Sequence, residues 1–190
     1  MPSLLTPAVP AGSMAALTQP ELHADGVVLR PWRRSDRASV VAAYADDDIQ
    51  RWHCRSMTDE EARDWIAAWP LRWRGETGAG WAVVAGGEVA GHMGLRRLAF
   101  GDGVAEVSYW VLPAARGKGL AAVALTAVTA WSFETLGLHR VELEHSTANP
   151  ASCRVAQRAG FAAEGTKRGE VRHADGWHDM HLHARLADED

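Results

Sequence analysis

The run Val111-Leu112-Pro113-Ala114-Ala115-Arg116-Gly117-Lys118-Gly119-Leu120-Ala121 narrows what this chain can be more than any other stretch. An apolar segment stops at a proline, two glycines follow, and an alanine- and leucine-rich run begins. That order reads as strand, turn, helix. The first N–H groups of a helix have no acceptor within it, and the helix dipole is positive there. Glycines let such backbone come close to an anion. The segment therefore suits a pyrophosphate cradle, with Arg116 and Lys118 adding charge. Spacing excludes two other phosphate loops, because G-x-x-x-x-G-K-[ST] is absent and G-x-G-x-x-G is not completed. Taken alone, the run is equally an ordinary tight turn.

Its surroundings alternate between the two backbone periods. Val27–Leu29 predicts a first strand, and Ser35 and Asp36 offer an N-cap to a helix carrying Val40, Val41 and Tyr44. Thr58 and Glu61 form a capping box that opens a helix to about Trp73, with Trp65, Trp69 and Trp73 on one face as core packing. Trp81–Ala85 and Glu88–Leu95 flank Gly86-Gly87 as a hairpin, and Val104–Leu112 is a further strand. A helix follows Gly119 to about Leu136, then come a strand at Val141–His145 and a helix at Ala151–Ala159. Two strands near Phe161–Val171 and Trp177–Leu186 close the order, joined by Ala174-Asp175-Gly176. About seven strands and four helices form a mixed α/β (α+β) sheet with helices on it.

The chain has 190 residues, enough for one domain that buries roughly 70% of the surface its unfolded form exposes. Residues 1–20 lack periodicity and read as a disordered leader, with Met14 as a second candidate start, and 21–190 as a single domain. No stretch reaches the ~20 apolar residues of a membrane span. A net charge of −4 argues against nucleic acid and acidic membranes as partners. Two cysteines, Cys54 and Cys153, make neither a disulfide framework nor a zinc pattern, which suits a reduced cytoplasmic chain. His181 and His183 alternate on a strand, and His92, His139, His145, His173 and His178 lie elsewhere. No cysteine or carboxylate cluster joins them in the sequence, so no metal is expected.

Four ordered blocks then carry a resemblance. Arg116-Gly117-Lys118-Gly119-Leu120-Ala121 resembles the Q/R-x-x-G-x-G/A loop of GCN5-related N-acetyltransferases. The preceding Glu106-Val107-Ser108-Tyr109-Trp110 resembles their Glu-Ile-Gly-Tyr-Trp strand. Asn149, Ser152, Gly160 and Phe161 match the N-x-x-S…G-F signature, and Trp177-His178-Asp179 resembles the W-x-D of the Rim-type, ribosomal-protein branch. The blocks span about residues 26 to 187.

The resemblance implies a mostly antiparallel central sheet in which two strands splay to hold acetyl-CoA. It implies that Arg116, Gly117, Lys118, Gly119, Leu120 and Ala121 bind the pyrophosphate. Backbone around Trp110, Val111 and Leu112 would pair with the pantetheine arm, and Asn149 would bond it. Glu106 is the first candidate for the base that frees the amine, Glu170 the second and Glu144 the third, read as a surface residue. The phenol that many relatives place seven residues after the Asn is absent, since Ala156 stands there, and Ser152 is the candidate acid near the sulfur. Ser152 equally suits a helix cap after Pro150. Arg51, Trp52, His53 and Trp177 would wall the acceptor groove, and Asp179 would support the last hairpin.

The implied activity is acetyl transfer to a primary amine, foremost a protein or peptide N-terminus. A small-molecule amine, another acyl group such as succinyl, and an acyl-CoA-binding module without turnover are the alternatives. The apolar and Trp content is compatible with a homodimer.

Overall fold

The computed structural model describes residues 4–189. Eight strands form one sheet: β1 (Leu22–Ala24), β2 (Val27–Pro31), β3 (Ala79–Ala85), β4 (Glu88–Ala99), β5 (Val104–Val111), β6 (Arg140–Ser146), β7 (Ala162–His173) and β8 (Gly176–Leu186). Their spatial order is β1-β2-β3-β4-β5-β6-β8-β7, antiparallel everywhere except between β5 and β6. Five α-helices pack on it: α1 (Arg37–Ala43), α2 (Asp47–His53), α3 (Asp59–Arg74), α4 (Leu120–Glu134) and α5 (Pro150–Arg158). Among the described residues no helix is long and apolar enough to cross a membrane.

Local chemistry explains most boundaries. The Thr58 hydroxyl accepts from the Glu61 N–H at 3.2 Å, and the Glu61 carboxylate accepts from the Thr58 N–H at 2.7 Å, so the capping box starts α3 as expected. Gly86 and Gly87 turn the β3–β4 hairpin at φ 60° and 84°, a conformation that favours glycine. Asp179 accepts from the Gly169 N–H at 2.8 Å and so braces the last hairpin, the role expected of it.

Two elements exceed the sequence reading. β1 is three residues long, and α2 has Ile49 as its one buried residue, so neither shows an apolar period. The Asp46 side chain caps α2 by accepting from the Ile49 N–H at 3.0 Å. The leader is also corrected over its described part. Val9 and Met14 are buried in the main core, and the Glu76 carboxylate accepts from the N–H groups of Gly12, Met14 and Ala15 at 2.7–3.0 Å. Two apolar anchors and one carboxylate suffice to hold a segment whose composition looks loose.

The sheet divides the interior into two apolar clusters. One lies under α4 and contains Trp73, Trp81, Met93, Leu125 and Leu143. The other lies under α1–α3 and contains Trp32, Tyr44, Ile66, Trp69 and Trp110. The Trp stripe of α3 therefore packs as core, though Trp73 and Trp69 serve different clusters and Trp65 is only half-buried. His92 sits among Trp32, Trp65, Trp69 and Trp110, and burial pushes its imidazole down to about 3. Glycine at position 80 makes room for this packing, since a Cβ there would lie 2.4 Å from the Trp69 ring.

Candidate active site

β5 and β6 run parallel and pair only from Val104 to Glu106 against Arg140 to Glu142. Beyond Glu106 they part, and a cleft of about 820 Å³ fills the gap. Gly117, Gly119 and the start of α4 line one end, and Arg96, Arg97 and residues 171–173 line the other. The passage thus joins the two faces of the sheet. The Leu112 N–H donates to the Ala90 carbonyl at 2.9 Å, toward β4. Strand alternation then turns the main-chain groups of Tyr109 and Val111 toward the gap. Their carbonyls accept from His53 Nε2 at 3.1 Å and Arg116 Nε at 3.2 Å.

At the loop, Gly117 and Gly119 have φ of 77° and 76°, and a Cβ added to either would meet nothing within 4 Å. The glycines are needed for backbone conformation and for the approach of a ligand, with no protein neighbour demanding them. No side chain caps α4 at Gly119, and the first bonded N–H of the helix is that of Ala122. The N–H groups before it are therefore available to an anion.

The charges differ from the sequence reading. Arg116 is engaged with Asp46 and, at 3.0 Å, with Asp48, which ties the loop to the start of α2. Lys118 and Leu112 lie outside the cleft wall, while Trp110, Val111, Leu120 and Ala121 line it. Arg154 and Arg158 on α5 also line it, and among the described residues neither has an ion-pair partner. Sequence reasoning missed them, although their i, i+4 spacing after the Asn149 cap puts both on one side of α5.

α5 begins at the middle of the cleft. The Asn149 side chain caps it by accepting from the Ser152 N–H at 3.1 Å, and both residues line the cleft. The Ser152 hydroxyl is buried and lies 2.7 Å from the Tyr109 hydroxyl. Burial pushes the Tyr109 phenol up to about 12, so it keeps its proton at every physiological pH. A phenol therefore does reach this site, from β5 rather than α5. Counting seven residues from the Asn could not reveal it.

A strand pair that opens beside an uncapped, glycine-led helix is a cofactor-binding geometry, and comparison with known proteins decides which. The profile of the acetyltransferase (GNAT) domain matches residues 27–162. This chain belongs to the GNAT acetyltransferase family. It is an N-acetyltransferase whose acetyl donor is acetyl-CoA. The uncharacterized N-acetyltransferase YoaA of Bacillus subtilis is 27% identical over 78% of this chain and 86% of its own length. The ribosomal-protein-serine acetyltransferase of Escherichia coli is 30% identical over 53% of this chain and 56% of its own. The structure of RimL, a ribosomal L7/L12 α-N-protein acetyltransferase in complex with coenzyme A, superposes with a TM-score of 0.82 at 20% identity. It covers 90% of this chain and 100% of that one. These relatives support the Rim-type branch.

At the end of the cleft lined by Arg96 and Arg97, the carboxylates of this GNAT chain are engaged. Glu106 is buried, with its oxygens held by Arg96 and, at 2.9 Å, by Arg97. The two arginines line the cleft and Glu106 sits behind them. Glu170 lies outside the cleft wall and pairs with Lys167 at 3.1 Å. Glu144, read as a surface residue, instead lines the cleft with its side chain 6% exposed, paired with the same lysine.

Of the expected acceptor residues, Trp52 and His53 line the cleft. Arg51 stacks over Trp52 and reaches Asp175 at 3.5 Å, outside the wall, and Trp177 is exposed away from it. Burial pushes His53 down to about 4, and because a carbonyl only accepts, its Nε2 carries the hydrogen given to Tyr109. The histidines also gather in a way the sequence hid: Cys153 of α5 meets His145, His181 and His183. The expectation that no cysteine joins them is corrected, because a helix brings in the thiol from a distant position.

Proposed function

We propose that this acetyltransferase moves the acetyl group of acetyl-CoA to the α-amine of a protein or peptide N-terminus, by direct attack in a ternary complex. The observation that carries this reading is the engagement of every carboxylate at the cleft. Asp48 and Glu144, which line it, are each held by a basic partner, as are Glu106 behind the wall and Glu170 nearby. A lysine side chain, with a pKa of ~10.4, stays charged at neutral pH and needs a strong base, whereas an α-amine at ~7.7–8.0 is already partly neutral. A site without a free carboxylate suits the second. The ribosomal-protein name of the Escherichia coli relative points the same way. Arg96, Arg97 and Arg172 at the acceptor end favour a chain bearing acidic residues behind its first.

In this reading the neutral nitrogen attacks the thioester carbon, and the carbonyl oxygen takes up charge against a main-chain N–H of Tyr109 or Val111. The C–S bond then breaks. Ser152 gives its hydroxyl hydrogen to the departing sulfur and takes one from the Tyr109 phenol. The proton shed by the new amide nitrogen returns to Tyr109 through water. The products are the amide and the CoA thiol, with no net proton gained or lost by the chain. Glu106 holds Arg96 and Arg97 rather than acting as base, and Glu170 braces Lys167.

Initial rates of thiol release at pH 7.5 test the proposal. Peptides with a free α-amine are expected to outpace α-blocked lysine peptides by about two orders of magnitude, the ratio of neutral amine. Turnover confined to polyamines or aminoglycosides would move the acceptor to small molecules. Tight acetyl-CoA binding with no turnover on any acceptor would leave a binding module.

A further inference from the structure

His145 on β6, His181 and His183 on β8 and Cys153 on α5 each offer one ligand atom, and these atoms all lie within 4.8 Å of one another. The register explains why. His145 pairs with His181 and Leu143 with His183, so the three imidazoles share the sheet face on which α5 lies, and Cys153 points down from that helix. Ring centroids of His145 stand 5.2 Å from His183 and 5.4 Å from His181.

The hydrogen bonding around this group is incomplete in a directed way. His145 is 5% exposed and donates from Nδ1 to the Ser146 carbonyl at 2.8 Å, which leaves Nε2 as a bare lone pair with no partner. A backbone carbonyl on the far nitrogen is the arrangement that orients a metal-ligating histidine. His183 is 1% exposed, with Nδ1 unpartnered and Nε2 facing the Cys153 sulfur at 3.9 Å. Nitrogen and sulfur bound to one tetrahedral zinc stand about 3.6 Å apart, from bond lengths of ~2.0–2.1 and ~2.3 Å. A buried nitrogen left without a partner is costly, and a cation beside His145 Nε2 would satisfy it.

We propose that His145, Cys153, His181 and His183 form a tetrahedral site for a zinc-class divalent cation that fastens α5 to β6 and β8. Three imidazoles and one thiolate select such an ion over magnesium or calcium, which take oxygen ligands. The site lies behind the cleft and touches it only through His145. Its consequence for the acetyltransferase is positional: Cys153 follows Ser152 directly and shares α5 with the Asn149 cap, so the cation would set where the Ser152 hydroxyl stands.

The test uses the full chain without an added histidine tag, stripped with chelator and titrated with Co²⁺. One equivalent should give the intense visible bands of tetrahedral cobalt together with a thiolate charge-transfer band. Cys153→Ser should abolish the charge-transfer band, and His145→Gln should weaken binding at least tenfold. Zn²⁺ at about 100 times its dissociation constant should raise Tm by about 5–10 °C. Weak octahedral bands, or no stoichiometric uptake by the wild-type chain, would overturn the site without recourse to any variant. A thiolate band that survives Cys153→Ser would also overturn it, since Cys54, which lies 3.5 Å from His173, would then be the ligand.

Discussion

Replacing Glu106 by Gln keeps the shape of the side chain and removes its charge, which separates a base from an anchor. The carboxylate side chain is 4% exposed, whereas those of Arg96 and Arg97 are 49% and 69% exposed. When the charge goes, the arginines can turn to water, and the amide oxygen can still accept from one of them. What remains is a buried amide NH₂ facing a cation, a cost of about 2 kcal/mol for an unsatisfied buried donor. For a chain of this size each kcal/mol moves Tm by about 2–4 °C, so a fall of about 4–8 °C is expected. Loss of a general base would cost about 10²–10⁴-fold in kcat. Loss of an anchor should leave kcat within about tenfold, or ~1.4 kcal/mol, and raise the acceptor KM as the arginines lose their orientation. Steady-state thiol release from pH 6 to 9, with calorimetry beside it, reads both. A hundredfold or larger fall in kcat with unchanged Tm would refute the anchor role and restore Glu106 as base.

Three further outcomes follow from the packing and the site. Tyr109→Phe removes the hydroxyl behind Ser152 while keeping the ring, and Ser152→Ala removes the donor to the sulfur. Both should lower kcat with little change in the acetyl-CoA KM, and the double variant should cost no more than Ser152→Ala alone, as double-mutant kinetics can check. Gly80→Ala places a Cβ 2.4 Å from the Trp69 ring and should destabilise the chain by about 1–3 kcal/mol, seen as a lowered denaturant midpoint. Folded His53 and His92 titrate at about 4 and about 3, below the ordinary 6.5, so the unfolded chain binds protons that the folded chain does not. Stability is therefore full above pH 6.5 and is lost as pH falls toward 4, by about 1.4 kcal/mol per pH unit for each group, measurable by urea unfolding at pH 7 and pH 5.

Much of this was written in local patterns. Thr58 and Glu61 announced α3, Gly86-Gly87 announced a hairpin, and Gly117 to Ala121 announced the loop and its helix, because each signal acts within a few residues. The eight-strand sheet gained β1 and the five helices gained α2 because a three-residue strand, and a helix with Ile49 as its one buried residue, carry no readable period. Glu106 was legible as a strand carboxylate, yet its partners were not. Arg96 faces it as its cross-strand partner on β4, and Arg97 reaches it where the β4–β5 register shifts between Arg96 and Ala99. The Tyr109–Ser152 contact and the cluster around Cys153 join positions 43 and 30 residues apart on different elements, and no spacing rule connects them. Val9 and Met14 were hidden by the loose composition around them, since one or two apolar residues suffice to anchor a segment.

The most direct measurement offers the chain a single acidic peptide that carries both a free α-amine and a lysine, with acetyl-CoA at neutral pH, and locates the acetyl group by fragmentation mass spectrometry. Acetylation at the α-amine, with the lysine untouched, is the expected result. Acetylation at the lysine would contradict the claim that engaged carboxylates reserve this cleft for an amine already partly neutral.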